Sequence, residues 1–205
     1  MTDTPSSYLQ GMRKCVFLFG FLFVTAVAFA QKSHDAALDR RVNEYFTLTR
    51  AMDVDRLMEY THPRIFDVVP KDQLITIIKQ SYNNESFDIS IDSIAVISYS
   101  KPFIDEKIQY VRIDYAMKML MKFKDSSLFD NPQFPQMVMD NAKTSFPTAV
   151  ISLDASKRTF VFNMTSIAVG LKDPAQKSWL FLGYQNNELV DKIFSPAVRK
   201  NLQLQ

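Results

Sequence analysis

The chain is poor in glycine, cysteine and histidine, and each scarcity excludes a class of site. Its 205 residues include four glycines, one cysteine and two histidines. Walker A and GxGxxG loops need clustered glycines to let the backbone approach a phosphate, and neither motif occurs. Nucleotide binding through such loops is therefore excluded. A single cysteine cannot form a thiolate zinc centre, and two histidines cannot supply three imidazole ligands, so we predict no metal or cofactor.

Charge of one sign is also lacking. The formal net charge is +2, and acids and bases are interspersed along the chain. No basic run in the part that we interpret as the folded domain is longer than a dipeptide such as Lys157-Arg158. A nucleic-acid or anionic-lipid surface normally shows as a concentrated basic patch. We therefore expect neither kind of partner.

What the chain does have is an N-terminal targeting pattern. Arg13 and Lys14 precede an apolar run over residues 16–30, which ends in the small-residue motif Ala28-Phe29-Ala30. This pattern is typical of a secretory signal peptide, and the run is short for a membrane span. We predict a signal peptide over residues 1–30, cleavage near Ala30, and export of residues 31–205 to the periplasm or medium as a protein without a membrane segment. Cys15 leaves with the signal.

Residues 1–11 are polar and do not fit the signal pattern, whereas Met12 would open an ordinary signal peptide directly. Translation from Met12 is therefore our hypothesis, with residues 1–11 an extension of the gene prediction.

The first part of the predicted mature chain has helical periodicity. Apolar residues recur at helical spacing from residue 36, Asp53 and Asp55 then interrupt the pattern, and a second short helix ends at His62-Pro63. A third helix is predicted over residues 70–82, where a proline occupies the first turn and Leu74, Ile77 and Ile78 form an apolar stripe.

The remainder is predicted to be mostly strand. Phe87, Ile89 and Ile91 alternate with polar residues, and the phase blurs over 94–99, which indicates a bulge. Residues 107–124 alternate almost perfectly, which predicts a long strand with one dry and one wet face. The later segments are predicted as an insertion with a short helix at 125–147, a hairpin of 148–154 with 158–171, a central strand at 178–184, and a helical end within 189–202.

Helices followed by antiparallel strands predict an α+β fold in one domain. Four segments also carry a family resemblance: residues 42–52, residues 53–60, the stretch Tyr60-Thr-His-Pro-Arg-Ile-Phe, and Lys177-Ser-Trp-Leu-Phe-Leu-Gly. With these segments the chain resembles the nuclear transport factor 2-like (NTF2-like) superfamily, which includes SnoaL-type and ketosteroid-isomerase-type proteins. The resemblance covers most of residues 36–184. It implies a cone in which N-terminal helices pack on a strongly curved antiparallel sheet around a pocket. We carry over none of the isomerase's catalytic residues.

Two side chains are weak catalytic candidates. His62 could be a general base or could cap the turn before Pro63, and Asp114 could be a general base or an ion-pair partner on a solvated sheet. Other carboxylates that a pocket could desolvate are Asp53, Asp55, Asp67, Asp88 and Asp92.

The strand at 107–124 presents a stripe of methionines that ends in a phenylalanine. Methionine fills irregular cores and also lines adaptable binding surfaces, so the stripe is either core or pocket. Aromatic residues could add polar tips to such a pocket, Tyr45 and Tyr184 among them. The predicted binding residues are Tyr99, Tyr115, Met117, Met119, Met121, Phe123 and Trp179.

Three functions remain open at this point. The favoured hypothesis is non-catalytic binding of a small apolar ligand or a protein partner. The alternative is an acid–base isomerase, lyase or cyclase that uses a pocket carboxylate. A third possibility is an assembly module, such as a homodimer.

The signal-peptide prediction is tested by expressing the full chain in an exporting host. Intact-mass analysis of the exported protein should give a chain that begins at Gln31, because the small residues Ala28 and Ala30 define the cleavage site. Recovery of only the uncleaved chain in the cell would contradict the prediction. Peptides that cover residues 2–11 would contradict initiation at Met12.

Overall fold

The computed structural model describes residues 35–82, 85–184 and 192–204. The predicted signal peptide and its alternative start at Met12 lie outside these residues. Within them, no helix is long and apolar enough to cross a membrane.

Five α-helices occur in the described residues, and side-chain caps define several of their ends. Asp35 starts the first helix by accepting a hydrogen bond from the backbone N–H of Ala37 at 2.9 Å, and Met52 ends it in the left-handed conformation. Asp53 caps the second helix in the same way as Asp35 caps the first. The predicted helix from residue 36, its interruption at Asp53 and the helix within 70–82 are thus confirmed, whereas the second helix ends at Leu57 and not at His62-Pro63. The bounds are α1 Ala36–Ala51, α2 Val54–Leu57, α3 Lys71–Tyr82, α4 Phe134–Ser145 and α5 Pro196–Asn201.

Six strands form one antiparallel sheet. The central pair is β3 and β5, with β1 and β2 both on the outer side of β3, and β4 and β6 both on the outer side of β5. β2 is a three-residue strand that the sequence analysis did not predict. The bounds are β1 Phe87–Tyr99, β2 Phe103–Asp105, β3 Ile108–Phe123, β4 Val150–Asp154, β5 Thr159–Lys172 and β6 Leu180–Tyr184.

Two bulges in β1 explain why its apolar pattern loses phase. The register with β3 shifts once between Ile91 and Ser93 and again between Val96 and Ser98. Each bulge adds one residue to β1, so the strand turns by one position and keeps its apolar side chains on the same side. The predicted bulge within 94–99 is confirmed, and the bulge at 91–93 is an additional one.

One face of β3 is covered in two separate parts. At its start, Val111 and Ile113 pack against Leu38, Val42 and Phe46 of α1. At its end, Met119 and Met121 of the stripe pack against the segment between β3 and β4. That segment is the predicted insertion at 125–147, which forms a 3₁₀ turn at Ser126–Asp130 followed by α4.

The other face of β3 is not uniformly solvated, which corrects the expected division into a dry and a wet face. Ile108 and Tyr110 on this face are buried by C-terminal residues of the chain. The covering side chains are Phe194, Val198, Leu202 and Leu204. Alternation in one strand cannot reveal a distant segment that folds back over part of its polar face.

The prediction that residues 178–184 form a central strand is wrong. β6 forms its ladder with β5 alone and therefore lies at the edge of the sheet. Residues 60–62, which precede a 3₁₀ turn at Pro63–Ile65, pair with part of its open side. Phe181 N–H donates to the Tyr60 carbonyl at 2.7 Å, and His62 N–H donates to the Phe181 carbonyl at 3.1 Å. Apolar clusters on both faces bury β6, which is why its sequence reads as that of a central strand.

The architecture is therefore α+β, as predicted: helices plus a six-stranded antiparallel open sheet.

Candidate functional site

Three tyrosines meet where α1, α3 and β3 come together. Tyr45 of α1 packs against both the cluster over β3 and the cluster under α3. Tyr115 of β3 lies with its ring 5.1 Å from that of Phe46, and it forms a hydrogen bond with Ser166. Tyr82 closes the group from the end of α3. We call Tyr45, Tyr82 and Tyr115 the tyrosine cluster.

The tyrosine cluster is a set of neutral phenols in apolar surroundings. Burial raises the pKa of Tyr45 far above its ordinary value, and the proximity of Tyr115 and Tyr82 raises it further. Burial likewise raises the pKa of Tyr82 and of Tyr115. Low polarity disfavours the phenolate, so all three groups stay protonated at neutral pH. They can donate hydrogen bonds to a ligand without placing a charge beside it.

The wall over the tyrosine cluster is weakly anchored. α3 contributes no fully buried residue, whereas α1 contributes four. Leu74, Ile75 and Ile78 of α3 are only partly buried against the neighbouring cluster, and Ile77 is 48 % exposed. Beside Tyr82, a cleft of about 470 Å³ separates α3 from the end of α1 and from α2. Among the α-helices that lie wholly within the described residues, α3 is the one without a fully buried side chain.

Trp179 and Tyr99, two of the predicted binding residues, tie α1 to the sheet. The Trp179 indole N–H donates to the Asp35 carboxylate at 3.0 Å, and this bond is the main cause of the lowered pKa of Asp35. Lys172 reaches the same carboxylate at 3.2 Å. Tyr99 forms a hydrogen bond with the Asp39 carboxylate. Burial raises the pKa of Tyr99, and the neighbouring Asp39 carboxylate raises it further. Trp179 belongs to the apolar cluster against which Tyr45 and Tyr115 pack, and Tyr99 packs against the same cluster.

The methionine stripe lies in a different cluster from Tyr115. Met119 is buried, with Met121 and Phe123 partly buried beside it, against Phe134 of α4 and Phe160 of β5. The Phe123 and Phe134 rings meet edge to face, with their centroids 5.0 Å apart. Met139 of the insertion joins this packing, whereas Met137 is 55 % exposed. The structure therefore divides the predicted pocket residues between two clusters.

Met117 lines an open groove in the middle of the sheet. The groove encloses about 340 Å³. Small and polar residues make up most of its remaining walls: Ser93, Ala95, Ala116, Lys118, Thr148, Val150, Asn163, Met164 and Thr165.

The candidate carboxylates other than Asp114 lie outside the tyrosine cluster. Asp55 pairs with Lys79 at 2.7 Å, and Asp92 pairs with Lys118 at 3.0 Å. Asp88 pairs with Lys124 at 3.4 Å. Asp53 caps α2, and Asp67 is exposed. Each is solvated or paired, so none of these five has the desolvated setting of a buried general base.

Asp114 orients an arginine that holds the C-terminal segment. Its Oδ1 pairs with Arg112 Nη2 at 2.7 Å, and its Oδ2 accepts a hydrogen bond from the Ser98 hydroxyl at 3.1 Å. Arg112 Nη1 in turn donates to the Gln203 carbonyl at 2.8 Å. Adjacent strand residues face opposite sides, so Asp114 points away from the cluster that buries Ile113.

His62 caps the turn between α2 and α3. Its Nδ1 accepts a hydrogen bond from the backbone N–H of Arg64 at 3.3 Å, where the 3₁₀ turn Pro63–Ile65 begins. The side chain is buried, and its Nε2 has no hydrogen-bond partner in the described part of the chain. Burial lowers the pKa of His62, and the Arg64 charge lowers it further. The geometry matches the capping interpretation.

Sequence reasoning missed Tyr82 and Ser166. Tyr82 follows Leu74 and Ile78 at four-residue spacing, so the apolar stripe of the third helix was a signal that could have found it. Ser166 is set opposite Tyr115 by the β3–β5 register, which only the structure supplies. In the described residues, no group of three histidine, cysteine or acidic side chains could hold a metal ion.

Comparison with models of known protein families gives no match, and comparison with curated proteins gives none. The functional argument therefore rests on the geometry of the tyrosine cluster and its surroundings.

The His62 environment predicts a pH dependence of stability. Its pKa is lower in the folded than in the unfolded chain, so below about pH 6.5 the unfolded state binds a proton that the folded state does not. The free energy of unfolding should therefore fall as pH drops from neutrality through this range. His62→Asn keeps a capping side chain but cannot titrate, and chemical denaturation at several pH values should give it a flatter profile.

The matched control is His34→Asn, because His34 is the only other histidine of the chain. A profile for His62→Asn as steep as that of the wild type, or a flattening by His34→Asn alone, would contradict the assignment.

Proposed function

We propose that the chain is an exported NTF2-like domain that binds a small, uncharged, largely apolar ligand without transforming it. The observation that carries the proposal is the tyrosine cluster beneath α3. It combines partly buried apolar walls with phenol groups that stay neutral. The NTF2-like resemblance assigns the ligand to the same region, between the helices and the sheet.

The chemistry of the cluster indicates what kind of ligand it would hold. The apolar body of the ligand would contact Leu74, Ile75 and Ile78 in place of the contacts that these side chains now make with the protein interior. A carbonyl or ether oxygen on the ligand would accept a hydrogen bond from a tyrosine hydroxyl. A charged ligand would be disfavoured, because transfer of a charge from water to such surroundings is costly unless it is paired.

The carboxylates favour binding over acid–base catalysis. Proton abstraction needs a base within hydrogen-bond reach of the substrate and with a pKa matched to that task. Asp114 is paired with Arg112. Each of the other five candidate carboxylates caps a helix, forms an ion pair or is exposed. The tyrosines are too weakly acidic to serve as bases at neutral pH.

Binding of a protein partner, including a second copy of the chain, is the second candidate function. Ile97 and Val150 are 57 % and 69 % exposed on the sheet, and they are among the most exposed large apolar side chains of the described residues. Exposed apolar side chains of this kind are frequent at protein contacts.

Native mass spectrometry of the protein recovered from an exporting host tests the choice between these functions. A discrete added mass that disappears on denaturation supports the small-ligand proposal. A ligand-free monomer contradicts it, and a ligand-free dimer favours the homodimer.

Titration with the neutral dye Nile red then tests the site. Tyr115→Phe removes one hydroxyl from the tyrosine cluster and should weaken binding about five-fold, since a net hydrogen bond is worth about 1 kcal/mol. The matched control is Tyr110→Phe, because Tyr110 lies on the opposite face of β3, under the C-terminal residues, and its hydroxyl accepts a hydrogen bond from Arg64. Equal weakening by both variants would contradict the site.

A further inference from the structure

The structure brings together four cationic side chains that are separated in the sequence. Lys122 lies at the end of β3 and Lys124 directly after it, and Lys157 and Arg158 lie in the turn between β4 and β5. Lys122 is the register partner of Thr159, directly after that turn, so the two pairs meet at one end of the sheet. They line a cleft of about 620 Å³ that has no carboxylate in its walls. We call this the basic cleft.

Two of the four cations have acidic partners outside the walls of the cleft. Lys124 pairs with Asp88 at 3.4 Å, and Lys157 pairs with Asp154 at 3.3 Å. Both pairs are partly exposed, so solvent weakens them. Lys122 and Arg158 have no ion pair to a described residue. Asp88, the partner of Lys124, lies opposite Lys122 in the β1–β3 register, so this one carboxylate serves two lysines. The cleft therefore holds two cations without an ion pair beside two that exposed acids only partly neutralise.

Arg158 has an unfavourable backbone conformation for its residue type. Its φ is +52°, in the left-handed region where glycine and asparagine are favoured. A turn that only joined β4 to β5 would be more stable with glycine at this position. Arginine costs some stability there but adds a planar guanidinium, which can bind two oxygens of one anion.

Hydroxyl groups complete the walls. Ser126, Ser156 and Thr159 line the cleft with the cations. Ser156 Oγ already donates to Asp154 at 2.7 Å, and Thr159 Oγ1 donates to the Lys157 carbonyl at 3.0 Å. Ser126 begins the 3₁₀ turn Ser126–Asp130 and lines the cleft together with residues of the β4–β5 turn.

We propose that the basic cleft binds the tetrahedral oxyanion of a phosphate ester. The charges on Lys122 and Arg158, which have no ion pair in the described residues, match the charge of a phosphate monoester, and the concave shape suits a single headgroup better than a long polyanion. The monoester belongs either to a soluble metabolite or to a phospholipid of the phosphatidic acid type. This site is independent of the tyrosine cluster and of the function proposed for it.

The first test is a titration of the ¹⁵N-labelled full chain, recovered from an exporting host, with inorganic phosphate at constant ionic strength. Amide signals of Ser126 and residues 155–159 should shift and saturate. The Lys122→Gln/Arg158→Gln double variant should lose at least ten-fold in affinity, because it removes both cations that lack an ion pair in the described residues. Lys177→Gln/Lys200→Gln changes the net charge equally at exposed positions near the other end of the sheet and should change the affinity less than two-fold.

A second arm separates the two sources of the phosphate. Co-sedimentation with phosphatidic acid vesicles that the double variant abolishes, and no binding to phosphatidylcholine vesicles, assigns the site to a lipid headgroup. Saturable phosphate binding without vesicle binding assigns it to a soluble ester. Absence of saturable shifts together with absence of vesicle binding overturns the proposal. An equal loss of binding in the control variant also overturns it, since only net charge would then matter.

Discussion

The rest of the structure depends on covering β3. This sixteen-residue strand is hydrogen-bonded to β1 and β2 on one side and to β5 on the other, so its backbone is paired along both edges. What other elements must still cover is the side chains on its two faces. Its apolar face is covered by α1 in one half and by the insertion in the other. Part of its opposite face is covered by the C-terminal residues that Arg112 holds. Each covering segment packs on different side chains of β3, and the apolar side chains along this strand therefore fall into three separate clusters.

The covering elements differ in how firmly they are held. The Asp35 carboxylate joins the start of α1 to the Trp179 indole and to Lys172, and four residues of α1 are buried. α3 has no fully buried residue and rests on partly buried side chains. Regions with little buried surface open at the lowest free energy. A ligand would therefore reach the tyrosine cluster by displacement of α3, while α1 and the sheet keep their positions.

The helices, the long strand and the bulge were predictable because each leaves a local signal. The apolar spacing of Leu38, Val42 and Phe46 and the alternation through β3 depend only on neighbours in the chain. The edge position of β6 was not predictable, because burial on both faces gives an edge strand the composition of a central one. For the same reason, the continuous run from Tyr115 to Phe123 read as one pocket, although different elements cover its two ends. The meeting of Lys122 with Arg158 needed the register of β3 with β5.

Hydrogen–deuterium exchange of the full chain, recovered from an exporting host, tests the central claim most directly. That claim is that the sheet and α1 form a rigid frame and that α3 is its opening wall. The account predicts that amides of α3 exchange at least about ten-fold faster than those of residues 111–121 in β3, with α1 close to β3. Equal protection of α3 and β3 would contradict it, because the tyrosine cluster would then be closed on both sides by elements of the same stability.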